Sequence, residues 1–377
     1  MSEVHARLAR LLAEKGSSVA LHANCGRMKP QGQRKPMTFQ ARPLRPSFYV
    51  SIWVLAVILA LLPTFAGCSR KSSAQTTTTD LNVKVGDTFR FVAYGDSRFH
   101  NPKDTEAANP PVRAALVRAV ANADPKFICF TGDIVYSGSD ADDWKVYDTE
   151  TTIWREKNIP VFPALGNHEF HGNEKIALGN YFQHFPDLKN SRYYSVRAGN
   201  ALFLALDSSL DEVSGPQGQW LAGKLAQVPP DVDFVFLMLH HPPYTSSSMN
   251  MVGNGHSARS EERALAGILE ERQKHSRARF VVFAGHVHNY ERHEHGGVTY
   301  FVSGGGGAHA YPVQRSPNDL FQGSGINYHY LLVEVDHQKL KVTMNRLEIV
   351  QGKEVWTRPD QVEITAPTAV FDAARPK

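Results

Sequence analysis

From Asp87 onward the chain alternates short apolar runs with amphipathic stretches, and this alternation constrains its fold more than any other feature. The runs at 89–94, 127–131, 161–164, 201–207, 234–239 and 280–284 have the length and the β-branched and aromatic content of buried strands. Helical periodicity falls between them, near 111–122, 142–157, 174–183, 216–227 and 259–275. After residue 285 the pattern changes to strands without helices, at 298–302, 328–335 and 340–347, and 193–197 with 201–207 reads as a hairpin around Gly199-Asn200. The order predicts a layered α/β (α+β) domain, a two-sheet β-sandwich flanked by helices with some antiparallel pairing.

With 377 residues, 42% of them hydrophobic, the chain has ample material for such a core. Its formal charge of +4 is uneven, since residues 1–67 hold nine Lys/Arg against two Asp/Glu, leaving 32 basic and 35 acidic side chains in the rest. The basicity belongs to the leader and gives no support to a nucleic-acid partner. An uncharged run over 48–66 follows Arg42 and Arg45 and ends in Gly67-Cys68, the pattern of an export signal, with Met37 at a more typical starting distance from it than Met1. Ala66-Gly67-Cys68 resembles a bacterial lipobox, which implies lipidation of Cys68; a single N-terminal transmembrane anchor is the alternative. Either attachment puts the body outside the cytoplasm, with the membrane as a partner. Residues 68–84, polar over Ser69 to Asp80, read as a flexible tether, 85–350 as the main folded domain, and 351–377 as a C-terminal extension loose at its end. Of the three cysteines only Cys129 lies in the domain, where it reads as a small buried hydrophobe.

Polar groups able to hold a metal stand at the ends of five of the six apolar runs: Gly95-Asp96, Gly132-Asp133-Ile134-Val135-Tyr136, Gly166-Asn167-His168-Glu169, His240-His241 and Gly285-His286-Val287-His288. Carboxyl ends of strands in α/β sheets are where loops gather distant residues over one crevice. The glycine before four of these groups is expected to let the backbone turn away sharply and leave the next side chain at the rim. Taken singly, Asp96 could cap a turn, Asp133 an N-terminus, Asn167 an Asx turn, Tyr136 could be core and His240 a satisfied buried histidine. Their recurrence in one kind of position points to a shared site. The run Gly304–Gly307 lacks the following Gly-Lys-Ser/Thr of a phosphate cradle and reads as a flexible turn near that site.

The ordered set Asp…Gly-Asp-x-x-Tyr…Gly-Asn-His-Glu…His…Gly-His-x-His resembles the calcineurin-like metallophosphoesterase superfamily, and the Tyr136 variant resembles its purple acid phosphatase branch. The resemblance covers roughly 89–336 and implies a dinuclear metal centre that hydrolyses phosphoesters. By it, Asp96, Tyr136 and His288 bind one metal and Asn167, His240 and His286 the other, with Asp133 bridging. Two cations about 3.5–4 Å apart need a shared anion between them. A tyrosine ligand implies Fe(III) in the first position with a divalent Fe, Zn or Mn in the second. The implied mechanism is attack of a hydroxide held by both metals, with His168 as acid and phosphate ligand, oriented by Glu169, and His256 as a further substrate-contacting catalytic histidine. Substrate contacts then come from Arg98, Asn167 and His168. Arg98 departs from the branch, which has Gly where this chain has Asp96-Ser97-Arg98; its fork suits either a substrate phosphate or an acidic neighbour. The expected substrate is a phosphorylated small molecule, a phosphomonoester; a phosphodiesterase on nucleotides or phospholipid head groups, or a lipoprotein that only binds such a ligand, are the rival readings.

Overall fold

The computed structural model describes residues 78–247 and 256–367, all within the compact unit Lys71–Lys377. The leader, Met37, the lipobox with Cys68, most of the tether and the last ten residues lie outside the described residues. Among the described residues no helix is long and apolar enough to cross a membrane.

The strands are β1 (Thr79–Val83), β2 (Thr88–Tyr94), β3 (Ile128–Phe130), β4 (Val161–Pro163), β5 (Tyr194–Ala198), β6 (Ala201–Ala205), β7 (Phe234–Met238), β8 (Arg279–Ala284), β9 (Tyr290–His295), β10 (Val298–Ser303), β11 (Tyr328–Asp336), β12 (Lys339–Val350), β13 (Lys353–Thr357) and β14 (Gln361–Thr365). The α-helices are α1 (Pro110–Asn122), α2 (Ala141–Glu150), α3 (Thr152–Glu156), α4 (Glu174–His184), α5 (Gly215–Ala226) and α6 (Ser260–Gln273). One sheet runs β1-β5-β6-β7-β8-β10-β9 and the other β13-β12-β11-β2-β3-β4, with β14 also on β12. Parallel strands β6–β7–β8–β10 run through the middle of the first sheet, and parallel β2–β3–β4 form one side of the second, with β4 at its edge; antiparallel pairs β5–β6, β9–β10 and β2–β11 join further strands to them. The mixed two-sheet α/β architecture is the one expected from the alternation.

Helix α1 starts where it does because Asn109 accepts the Val112 N–H at 3.3 Å and prolines occupy its first turn, where no amide donor is needed. The single helix expected over 142–157 is two, because Thr151 turns its hydroxyl onto the Tyr147 carbonyl at 2.6 Å and leaves helical geometry. Between the sheets lies an aromatic layer. Phe91 of β2 meets Phe203, Phe236 and Phe283 of the other sheet edge-on, at centroid distances of 5.0, 5.2 and 6.0 Å, while Phe203, Phe236 and Phe283 lie nearly parallel along their own sheet. Edge-to-face contacts of this kind add about 0.5–1.5 kcal/mol each to the area buried. A second apolar layer packs Leu221 and Leu225 of α5 and Leu265 and Leu269 of α6 with Leu204, Leu237 and Val282 of the same sheet. Cys129 is buried and free, as a small hydrophobe would be.

Two expected boundaries move. The span 68–84 is not tether throughout, because Thr79–Val83 pairs in parallel with β5, with the Thr79 hydroxyl buried on the Leu188 carbonyl at 2.9 Å. The sheet also does not end at 350, because β13 and β14 both pair with β12 and the Met344 amide bonds the Asp360 carbonyl.

Candidate metal centre

The five strand ends β2, β3, β4, β7 and β8 open onto one crevice. Asp96, Asp133, Asn167, His240, His286 and His288 all reach it, with Asp96, Asp133 and His240 fully buried. The turns are strained in an unexpected way. Asp96, Arg98, Asp133 and His286 have φ of 61, 45, 53 and 69°, so the functional residues themselves take the left-handed conformation. Of the preceding glycines only Gly132 does. Gly285 is required for space instead, since a Cβ there would stand 2.4 Å from Asp96 Oδ2. The run Gly304–Gly307 is likewise packed rather than a flexible turn: Gly306 donates to the Gly95 carbonyl at 2.9 Å and a Cβ on it would meet that oxygen at 2.2 Å.

Backbone contacts fix the rings. His240 Nδ1 donates to the Thr131 carbonyl at 2.9 Å, which leaves Nε2 with its lone pair exposed to the crevice. That nitrogen lies 3.0 Å from Asn167 Oδ1, 3.1 Å from His286 Nδ1 and 3.3 Å from Asp133 Oδ1. Four electron-rich atoms within that reach fit a cation better than they fit one another. On the other side, His288 Nδ1 donates to the His309 carbonyl at 2.8 Å, and its buried Nε2 has no hydrogen-bond partner, 3.6 Å from Asp96 Oδ1. Asp96, Asp133 and His288 present one set of donor atoms able to share an ion, and His240, His241 and His286 another. The donor chemistry therefore fits two metals, with Asp133 facing both.

The remaining predicted residues distribute around this core. Arg98 places Nη2 3.2 Å from Asp133 Oδ2, an ion pair with an acidic neighbour. Tyr136 stands at the rim, 38% exposed, its ring packed on His100 at 4.8 Å and His168 at 5.4 Å, its hydroxyl making no hydrogen bond among the described residues. His168 points Nε2 toward Asp133 Oδ2 at 3.8 Å, while its Nδ1 donates to the Tyr136 carbonyl at 2.6 Å. Glu169 does not orient it. Its carboxylate turns under the Asp133 turn and accepts the amides of Gly166, Asp133 and Ile134 at 2.7–2.9 Å. His256 reaches the site, its ring 4.6 Å from that of His286 and 5.6 Å from Tyr311. His241, the second of the adjacent histidine pair, also joins the site, and Tyr311, which no sequence motif marks, enters it with a hydroxyl that receives the His288 amide at 3.3 Å.

Burial penalises charge throughout. It pushes Asp96 well above the usual carboxylate range, with Asp133 adding to the effect. Burial also pushes Asp133 upward, but His240, His168 and Arg98 outweigh it and hold the group well below that range. Desolvation lowers His168 to about 4 and drives His288 well below its ordinary value. Glu169 is pushed up to about 8 by burial and by Asp133.

Residues 85–290 match the calcineurin-like phosphoesterase family. The chain belongs to this family. Purple acid phosphatase 21 of Arabidopsis thaliana is 28% identical over 231 residues, 55% of this chain and 50% of that one, so the chain spans about half the length of this curated relative. The structure of a purple acid phosphatase from yellow lupin (Lupinus luteus) seeds superposes with a TM-score of 0.55 at 18% identity, over 74% of this chain and 54% of that one. That of PhoD does so with a TM-score of 0.56 at 12% identity, over 77% and 72%. At these identities the structural likenesses speak for the fold, while the family match and the curated relative support the purple acid phosphatase-like branch.

Proposed function

We propose that this calcineurin-like phosphoesterase hydrolyses phosphomonoesters at a dinuclear metal centre, outside the cytoplasm. The observation that carries the reading is the convergence of Asp133 Oδ1, Asn167 Oδ1, His240 Nε2 and His286 Nδ1 beside the unpartnered His288 Nε2. Asp96, Asp133, Tyr136 and His288 would hold the first metal, taken as Fe(III), and Asp133, Asn167, His240 and His286 the second, a divalent ion. When bound, the pair supplies positive charge for the phosphoryl oxygens and activates water at neutral or acid pH. The chain supplies the rest. Arg98 sits where its fork can pass from Asp133 to a phosphate oxygen. His168 stands beside Asp133 and His256 beside His286, so each is placed to contact substrate and to move a proton at the ester oxygen. Export rests on the charge-free run at 48–66 and the Cys68 lipobox, read from sequence.

The test is metal content, visible absorption and turnover of p-nitrophenyl phosphate against bis(p-nitrophenyl) phosphate, for the wild type and Tyr136→Phe. Two metals including iron, a tyrosinate charge-transfer band lost in the variant, and preference for the monoester support the full reading. Turnover without that band removes the tyrosinate-iron assignment. Preference for the diester moves the chain to phosphodiesterases, and metal-free, inactive protein refutes the enzyme.

A further inference from the structure

His240 and His241 are adjacent, and in a continuing strand their side chains would point to opposite faces. Strand β7 ends at Met238, however, and the chain turns into Pro242-Pro243, which brings the second ring back to the crevice. The His241 ring lies 5.1 Å from that of His240, nearly perpendicular to it, and 4.4 Å from that of His286. One nitrogen from each of the three imidazoles falls within 4.8 Å of the others. His241 is also held from behind. Ser208 Oγ receives the His241 amide at 3.1 Å and lies 2.8 Å from His241 Nδ1, which leaves Nε2 as the available donor atom. The Ser208 carbonyl is gripped by Arg259 Nη2, whose guanidinium also binds both carboxylate oxygens of Glu262 in the first turn of α6. A carboxylate, a cation, a seryl residue and an imidazole thus form a chain ending at the crevice. Metal-binding histidines are held in this way, with one ring nitrogen fixed by an outer partner so that the other faces the ion.

We infer that His241 is a third imidazole for the second metal position, a ligand additional to Asp133, Asn167, His240 and His286, oriented by Ser208. The inference rests on the dinuclear reading above. It gives the second position more nitrogen donors than the first, a set that favours zinc or cobalt over the harder manganese or magnesium.

The experiment loads the full-length chain with Co²⁺ and, separately, Zn²⁺, and follows the second binding event by competition with a chromophoric chelator and by the Co²⁺ d–d spectrum. Wild type, His241→Gln and Ser208→Ala are compared, with the melting midpoint of each metal-free protein as the check on folding. The expected result is two sites in the wild type, with the second weakened about tenfold or more in His241→Gln and its cobalt spectrum altered. Ser208→Ala, which keeps the ring and loses only its peg, is expected to weaken the same site by a smaller factor, and it carries the test if His241→Gln does not fold. Two sites with unchanged affinity and spectrum in both variants overturn the His241 assignment and leave the dinuclear centre standing. A wild type that binds no second ion overturns both.

Discussion

Replacing Arg98 with glycine separates two energies that the structure superimposes on one residue. Arg98 holds the only guanidinium in hydrogen-bond reach of buried Asp133 among the described residues, at 3.2 Å, and does so from a backbone with φ of 45°. Removing one partner of a buried ion pair costs about 3–5 kcal/mol, because the other charge is left without compensation. A left-handed backbone costs a non-glycine residue about 1–2 kcal/mol, which glycine recovers. Arg98 is 16% exposed and Asp133 keeps His168 and His240 nearby, so the lower end of the loss applies. In metal-free protein Arg98→Gly is therefore expected to lose about 1–3 kcal/mol.

Metal-loaded protein should behave oppositely. There the cations compensate Asp133, the ion-pair loss vanishes, and the recovered backbone strain leaves Arg98→Gly equal to the wild type or about 1 kcal/mol more stable. The thermodynamic cycle then requires the variant to bind metal more tightly by the difference, about 1–4 kcal/mol, or roughly fivefold or more. Urea unfolding with chelator and with saturating Zn²⁺ measures all four corners, and Arg98→Ala, which retains the strain, should fall below Arg98→Gly in both states. An equal loss for Arg98→Gly with and without metal would refute the reasoning, since it would mean that the guanidinium and the ions do not compete for Asp133.

Three further outcomes are expected. Glu169→Gln puts an amide donor against the N–H groups of Gly166, Asp133 and Ile134, so it should cost about 1–3 kcal/mol by melting and weaken metal binding by about ten-fold or more in a titration. His288→Ala should abolish one of two bound metals by elemental analysis while the second is retained, because the second position draws on Asn167, His240 and His286. Glu212 is buried with neither carboxylate oxygen hydrogen-bonded, and desolvation with neighbouring Glu262 pushes it from an ordinary 4.5 up to about 8. The folded protein therefore holds a proton that the unfolded chain releases, and stability falls as pH rises between those values. Glu212→Gln should melt higher than the wild type at pH 8 and lose that advantage by pH 5; an advantage that grows toward acid pH would show that Glu212 is ionised in the fold.

Much of this was readable in the sequence because the elements that place the site are the most buried ones. The runs giving β2, β3, β4, β7 and β8 are apolar almost throughout, as strands covered on both faces must be, and their ends could be read directly. The strands that escaped notice are marginal ones. Strand β13 is exposed along its whole length, β9 reads Tyr-Glu-Arg-His-Glu-His at a sheet edge, and β1 has too few apolar residues to stand out from the tether. Pairing on an edge satisfies the backbone without demanding a hydrophobic pattern. The role expected of Glu169 failed for a different reason. Adjacency in sequence suggested that Glu169 serves His168, whereas the fold sets it beneath the turn from β3, and nothing local records which neighbouring loop a buried carboxylate will cap.

The backbone carries information about the site that residue types alone do not. Among the described residues ten non-glycine positions have positive φ. Asp124, Asn158, Lys189, Asn190, His337 and Gln351 lie in ordinary turns between elements, whereas Asp96, Arg98, Asp133 and His286 converge on one crevice. At about 1–2 kcal/mol each, four such residues are a large fraction of the stability of an ordinary domain, and the surroundings must hold them in place. They do: Asp96 and Arg98 donate to the carbonyls of Gly132 and Asp133, and the His286 amide bonds both oxygens of Asp96. Each strained turn is thus tied to another, so the ligand-bearing turns are held in place as a set. Relaxing one of them, as Arg98→Gly does, should be felt at metals that Arg98 itself never ligates.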